Sequence, residues 1–199
     1  MARTIIFDLS EVLISGLVGI EKVLSRELAL PEDKILPCFG GSWLEELLVG
    51  DISEETYLTW IVARGKWPID VARLKAVIRG NFHHPVEGTI GLLMDLAGRH
   101  HLALLSDNAR EWVAYIRSVH PFLEVFQRTF FSYDLKGLKK DPATFSAVLD
   151  AMSASPGECL FIDDNPLNVS AAESAGIPSV HFVSAEQLAA ELDGKLLSS

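Results

Sequence analysis

The chain has 199 residues, 49% hydrophobic and 22% charged, which suits one globular domain, or one domain with a sizeable insertion, around a real core. A formal net charge of −10 argues against nucleic-acid or anionic-membrane binding, which need a basic footprint, but leaves room for an anionic small molecule at a locally cationic or metal-bearing pocket. Cys38 and Cys159 stand far apart in no metal-type spacing, no stretch reaches membrane-spanning length and no signal peptide is visible, so the reading is a cytoplasmic protein with buried free thiols.

Thr4 to Phe7 is a short apolar run with the β-branched content of a buried strand, ending abruptly in Asp8. Helical patterns then follow one another. Ile20, Val23, Leu24 and Leu28 share a face that Pro31 terminates. Ser42 and Glu45 have the spacing of a capping box, Ser53 caps a helix carrying Tyr57, Trp60 and Ile61, and Pro68 opens another through Val71 to Ile78. From Val86 helices and strands alternate. An apolar helix runs from Gly88 to Gly98, and a strand from His101 to Leu105 closes in Ser106-Asp107-Asn108. Asn108 with Glu111 caps a helix carrying Trp112, Tyr115 and Ile116. A strand at Thr129 to Phe131 leads to Ser132 and a polar loop from Asp134 to Asp141, where Pro142 starts a helix. Cys159 to Ile162 is a strand ending at Asp163-Asp164, Val169 to Ala175 a helix stopped by Gly176, and Ser179 to Val183 a last strand. Ser184 with Gln187 boxes the C-terminal helix. The alternation implies an α/β fold with a mostly parallel sheet, interrupted after its first strand by a helical segment at 15–84.

Three strands thus end in polar clusters, at Asp8 to Ser10, Ser106 to Asn108 and Asp163-Asp164, with Lys136, Lys139 and Lys140 in a nearby loop. In a parallel sheet such ends share one edge, where ligands bind. Carboxylates packed together repel unless a cation or protons neutralise them, and oxygen ligands beside a phosphate suit Mg²⁺. Asp8 is then a nucleophile, a metal ligand, or both.

These residues resemble the haloacid dehalogenase (HAD) superfamily. Phe7-Asp8-Leu9-Ser10-Glu11-Val12-Leu13 is similar to its first motif and Leu104-Leu105-Ser106-Asp107-Asn108 to its second. Ser132-Tyr133-Asp134 through Lys139-Lys140-Asp141-Pro142 resembles the third, and Leu160-Phe161-Ile162-Asp163-Asp164-Asn165-Pro166-Leu167-Asn168, followed by Ala171-Ala172 and Gly176, the fourth. The resemblance implies a Rossmann-like, three-layer core (1–14 and 85–199) with a helical cap at 15–84. It implies a phosphatase acting on a small phosphorylated metabolite, such as a sugar phosphate, in the branch near sugar-1-phosphate phosphatases and the phosphatase domain of epoxide hydrolases. Asp8 would form an aspartyl-phosphate. Mg²⁺ would be held by Asp8, the Ser10 carbonyl, and Asp163 and/or Asp164. Ser106, the backbone beyond it at Asp107 and Asn108, and Lys139 would bind the phosphate.

One position departs from the pattern. Family phosphatases most often carry a second Asp two residues after the nucleophile, as general acid and base; here Ser10 stands there. Such groups contribute roughly 10²–10⁴-fold, so a slow enzyme or a good leaving group is expected. Glu11 or a cap residue is a candidate replacement, although Glu11 reads equally well as a surface or capping residue. Two alternatives share the fold: a metal-independent 2-haloacid dehalogenase, and a catalytically weak protein that binds a phosphorylated ligand or a partner. The histidine pairs at 83–84 and 100–101 read as loop residues, and Trp43, Trp60 and Trp67 as cap core. Leu13 to Gly19 and Phe39 to Trp43 are the candidate substrate contacts, and Gly16 and Gly88 the candidate hinges.

Overall fold

The computed structural model describes residues 4–197; positions 1–3 and 198–199 of the expected core lie outside the described residues. Five parallel strands form one sheet in the order β3-β2-β1-β4-β5, with β1 (Thr4–Phe7) at its centre. The others are β2 (His101–Ser106), β3 (Arg128–Phe131), β4 (Cys159–Asp163) and β5 (Ser179–His181). Side chains alternate between the two faces, so neighbours in one strand enter different cores. Ile5 and Phe7 join Leu102, Leu104, Leu160 and Ile162 on one face, while Ile6 joins Ala103, Leu105 and Phe161 on the other. That two-sided burial is why these strands are continuous apolar runs.

The second face is covered by α8 (Pro142–Met152) and α9 (Pro166–Ser174), through Phe145, Val148 and Ala171. The first is covered by α5 (Thr89–Ala97), α6 (Arg110–Val119) and α10 (Ala185–Leu197), through Leu93, Trp112, Ile116 and Leu188. Three layers result. Between β1 and β2 lie α1 (Glu21–Leu28), α2 (Ser42–Leu48), α3 (Glu54–Gly65) and α4 (Val71–Asn81), ahead of α5; their apolar faces run into the first core. The segment joins the sheet through two adjacent strands of chain, where Ser15 N–H donates to His84 O (2.8 Å) and Val86 N–H to Leu13 O (3.0 Å). No helix among the described residues is long and apolar enough to cross a membrane.

Register fixes what meets at the sheet's carboxyl edge. Phe7 lies opposite Leu104 on β2 and Ile162 on β4, so Asp8 is level with Asp163 and one residue short of Ser106.

Several helix boundaries differ from the sequence expectation. Ser42 caps nothing: α2 starts from Gly41 at φ +94° with no side-chain cap, and Glu45 instead pairs with Lys140. Asp70, not Pro68, starts α4, accepting from Arg73 N–H at 2.7 Å. Asn108 and Glu111 form no cap for α6, whose N-cap is Ala109; Asn108 Oδ1 accepts from Ala109 N–H, and Glu111 reaches Glu54 N–H. α1 ends at Ala29 in the left-handed conformation, two residues before Pro31. The loop at 134–141 begins inside a helical turn, α7 (Ser132–Leu135). Ser53 does cap α3 and Asp141 caps α8. Ser184 accepts from Gln187 N–H, but Gln187 returns to Val183 N–H, one residue earlier than a capping box requires.

Cys159 is fully buried, and burial pushes its thiol up to about 11, so it is an inert core group. Cys38 is only half-buried, in a 3₁₀ turn, with its thiol donating to Lys34 O. Trp67 is buried as expected, while Trp43 and Trp60 are half-buried and stack on each other, 4.8 Å apart.

Candidate active site

Asp8 follows β1, its backbone N–H donating to Ile162 O and so tying it to β4. Its carboxylate Oδ1 accepts from Leu9 N–H at 2.7 Å and lies 2.6 Å from Lys139 Nζ. The same Nζ lies 2.6 Å from Asp163 Oδ2. Lys139, only 2% exposed, therefore bridges two buried carboxylates from adjacent strands. Asp8, Asp163 and Asp164 each offer an oxygen within 4.8 Å of the others.

The charges do not balance. Lys139 faces Asp8, Asp163 and Asp107, whose fields hold its ammonium well above the ordinary lysine range despite burial. Asp8 stays the other way: burial raises its carboxyl well above the usual value, and Lys139 only partly opposes this. Burial likewise raises Asp107, Asp164 and Glu11. One buried cation among this many carboxyls leaves a site that gains from further positive charge.

Ser106 ends β2 fully buried, and its Oγ has no hydrogen-bond partner. A buried unpaired hydroxyl is costly unless something else meets it. Asp107 holds the lysine loop: both its oxygens lie 3.1 Å from the Lys139 backbone N–H. Asn108 is buried, donating its N–H to Ser132 Oγ. Ser10 is half-buried beside Gly16, where a Cβ would stand 2.9 Å from Ser10 Cβ and 2.8 Å from Glu11 Oε1. Gly16 is thus required by close approach. Glu11, at φ +61°, accepts from Gly16 N–H (2.8 Å) and Val18 N–H (3.1 Å), fastening the start of the insert. Gly88, the other expected hinge, is the left-handed residue that starts α5.

Two residues that the sequence placed inside the fourth and third motifs without a role contribute as well. Asn168, on α9, donates its amide to both Asp163 oxygens (3.1 and 3.2 Å), and Asn165 N–H holds Oδ1 at 2.8 Å. The signal for it was the five-residue spacing from a strand-end Asp to the first turn of a Pro-started helix. Ser132 is fully buried, and its Oγ donates to Leu48 O across the insert boundary. Of the expected substrate contacts, Gly16 and Leu17 line the site's inner cavity, but Phe39 is core and Trp43 packs on Trp60 away from it. Leu44 and Leu48, on the adjoining face of α2, take their place.

A parallel α/β core, a helical insert after its first strand and a strand-end acidic cluster put the candidate site at the sheet's carboxyl edge, where ligands bind in such folds. Residues 2–176 match the haloacid dehalogenase-like hydrolases, and the chain belongs to that family. It is 27% identical over 163 residues to flavin mononucleotide hydrolase 1 of Arabidopsis thaliana, covering 82% of this chain and 66% of that protein, about two thirds of its length. It is 25% identical over 202 residues to phosphoglycolate phosphatase of Rhodospirillum rubrum, covering 90% and 79%. It shares its fold with a HAD family enzyme of Bacteroides thetaiotaomicron solved with magnesium and inorganic phosphate, at TM-score 0.74 and 21% identity, covering 92% and 96% of the two chains.

Proposed function

We propose that this HAD-like hydrolase is a Mg²⁺-dependent phosphatase that cleaves a small phosphate monoester through an aspartyl-phosphate on Asp8. The observation that carries this reading is the meeting of Asp8, Asp163 and Asp164 around Lys139, with the orphaned Ser106 hydroxyl at the same edge. The names of both curated relatives, each a phosphate-ester hydrolase, support it.

The donor set is all oxygen, which fits Mg²⁺. Asp8, the Ser10 carbonyl, and Asp163 and/or Asp164 would hold the ion. When bound, it would neutralise the phosphoryl oxygens and the crowded carboxylates. Asp8 attacks phosphorus, forming the Asp8–phosphate bond as the ester P–O bond breaks and the leaving oxygen takes up a proton. Water then attacks the aspartyl-phosphate, releasing inorganic phosphate and regenerating Asp8. Ser106 Oγ and the Asp107 backbone N–H receive phosphate oxygens, the Asn108 N–H being held by Ser132 Oγ, and Lys139 works against the burial that raises the Asp8 carboxyl. Asn168 aligns Asp163 and is a positioning residue. The segment 15–84 acts as a cap that excludes water and shapes the substrate side.

Ser10 has no carboxyl to protonate the leaving oxygen, so esters of acidic alcohols turn over fastest. Position 10 opens onto both the mouth of the site and its inner cavity, so a carboxyl there has room. Ser10→Asp is expected to raise kcat for an unactivated alkyl phosphate by about 100-fold, the lower end of the range for acid–base groups; an unchanged rate argues that another residue already supplies the proton.

Phosphate release from p-nitrophenyl phosphate in Mg²⁺ tests the function. It should vanish in EDTA and return with excess Mg²⁺. Chloride release from 2-chloropropionate in EDTA, without ester hydrolysis, replaces the reading with the dehalogenase. No turnover of either kind favours a binding protein, a role the missing carboxyl at position 10 suits.

A further inference from the structure

We propose that the substrate's leaving group is small, uncharged and mainly apolar, about the size of one six-membered ring; this rests on the phosphatase reading above. A cavity of about 180 Å³ lies between the cap and the core, sharing Ser10, Leu44, Leu48 and Asp107 with the mouth that contains Asp8 and Lys139. Its walls are Leu17, Leu44, Leu48, Phe82 and Trp112. An apolar cavity of about 150 Å³ is known to bind benzene, so this one holds a single ring with a short arm. The cavity opens into that mouth, so a tricyclic flavin with its ribityl chain would have to extend beyond it.

Charge decides against acidic leaving groups. The polar lining is Ser10, Asp107 and Asn108, with no Lys, Arg or His among the lining residues. Asp107 already receives the Lys139 N–H, and Asn108 Oδ1 that of Ala109. Lys140, at the outer mouth, is paired with Glu45. A carboxylated leaving group, such as that of phosphoglycolate, would meet an Asp and no free cation there.

The wall is also built rigidly. Trp112 Nε1 donates at 3.0 Å to Glu54, a carboxylate only 2% exposed that Lys75 (3.2 Å) and Arg79 (3.1 Å) neutralise. Phe82 packs edge-on against the indole at 5.7 Å. An apolar wall fixed before the ligand arrives loses little side-chain entropy on binding.

Two non-hydrolysable phosphonates separate the possibilities by calorimetric titration in Mg²⁺: 2-phenylethylphosphonate and 3-phosphonopropionate, which differ only in ring against carboxylate. The ring compound should bind about tenfold more tightly or better, from apolar burial alone. Leu44→Lys, which puts a cation in the half-buried wall, should narrow that ratio about tenfold or reverse it. Equal or tighter binding of 3-phosphonopropionate, no binding of either compound, or a ratio indifferent to Leu44→Lys overturns the proposal. Binding as expected with no ester hydrolysed would instead sink the phosphatase reading and leave the pocket's preference standing.

Discussion

Asp8→Asn is expected to release no phosphate above background, a loss of about 10⁴-fold or more, since an amide cannot form the covalent intermediate. The protein should nevertheless melt no lower than the native chain. Burial already raises the Asp8 carboxyl, so its charge is a strain on the metal-free fold, and Lys139 keeps Asp163 as a partner 2.6 Å away. Thermal unfolding in EDTA beside a phosphate-release assay in Mg²⁺ checks both halves. Retained turnover would remove Asp8 from the chemistry, whereas inactivity with a collapsed melting temperature would show only that the fold was lost.

Lys139→Met acts through both stability and rate. The substitution preserves much of the side chain's volume but strips the cation from between two carboxylates that are 5% and 0% exposed. Breaking a buried pair from one side costs about 3–5 kcal/mol, so the variant's unfolding free energy in EDTA should fall by about 3 kcal/mol. Mg²⁺ should return part of it, about 2.7 kcal/mol at 100 times its dissociation constant, because the ion binds the same carboxylates only when they are gathered. Urea titrations with and without Mg²⁺ measure this. Turnover should stay low even when stability returns, since the cation that opposed the raised Asp8 carboxyl and met the phosphate is gone. An unfolding curve unmoved by the substitution would mean that the pair contributes no net stability.

The sheet was legible because its strands are buried on both faces. Thr4–Phe7 and Cys159–Asp163 stand out as apolar runs that stop at acids, and a parallel sheet gathers such stops on one edge. Helix starts were less legible, because rival caps sit within three residues of each other. Pro68 and Asp70 each suit a start, and only the backbone path decided for Asp70. Partnerships distant in sequence were not legible at all. Ser132 meets Leu48 across 84 positions, and Trp112 meets Glu54 across 58. Nor could sequence tell which face of α2 looks into the site: Trp43 and Leu44 are neighbours, yet one stacks on Trp60 and the other lines the cavity.

The end of α2 leaves its mark on the core sequence. Leu48 O accepts from Ser132, and Val49 O from Lys136 Nζ at 2.7 Å. Lys136 also reaches Asp51 at 3.0 Å, and Gly50, at φ +74°, brings its backbone against Tyr133. The carbonyls that a short helix leaves open are thus closed by side chains of the very segment that carries Lys139. The helical insert is therefore not an interchangeable module. A chimaera that grafts a relative's insert onto this sheet has to carry matching residues at 132, 133 and 136, or it will disturb the lysine loop together with the specificity it was meant to change.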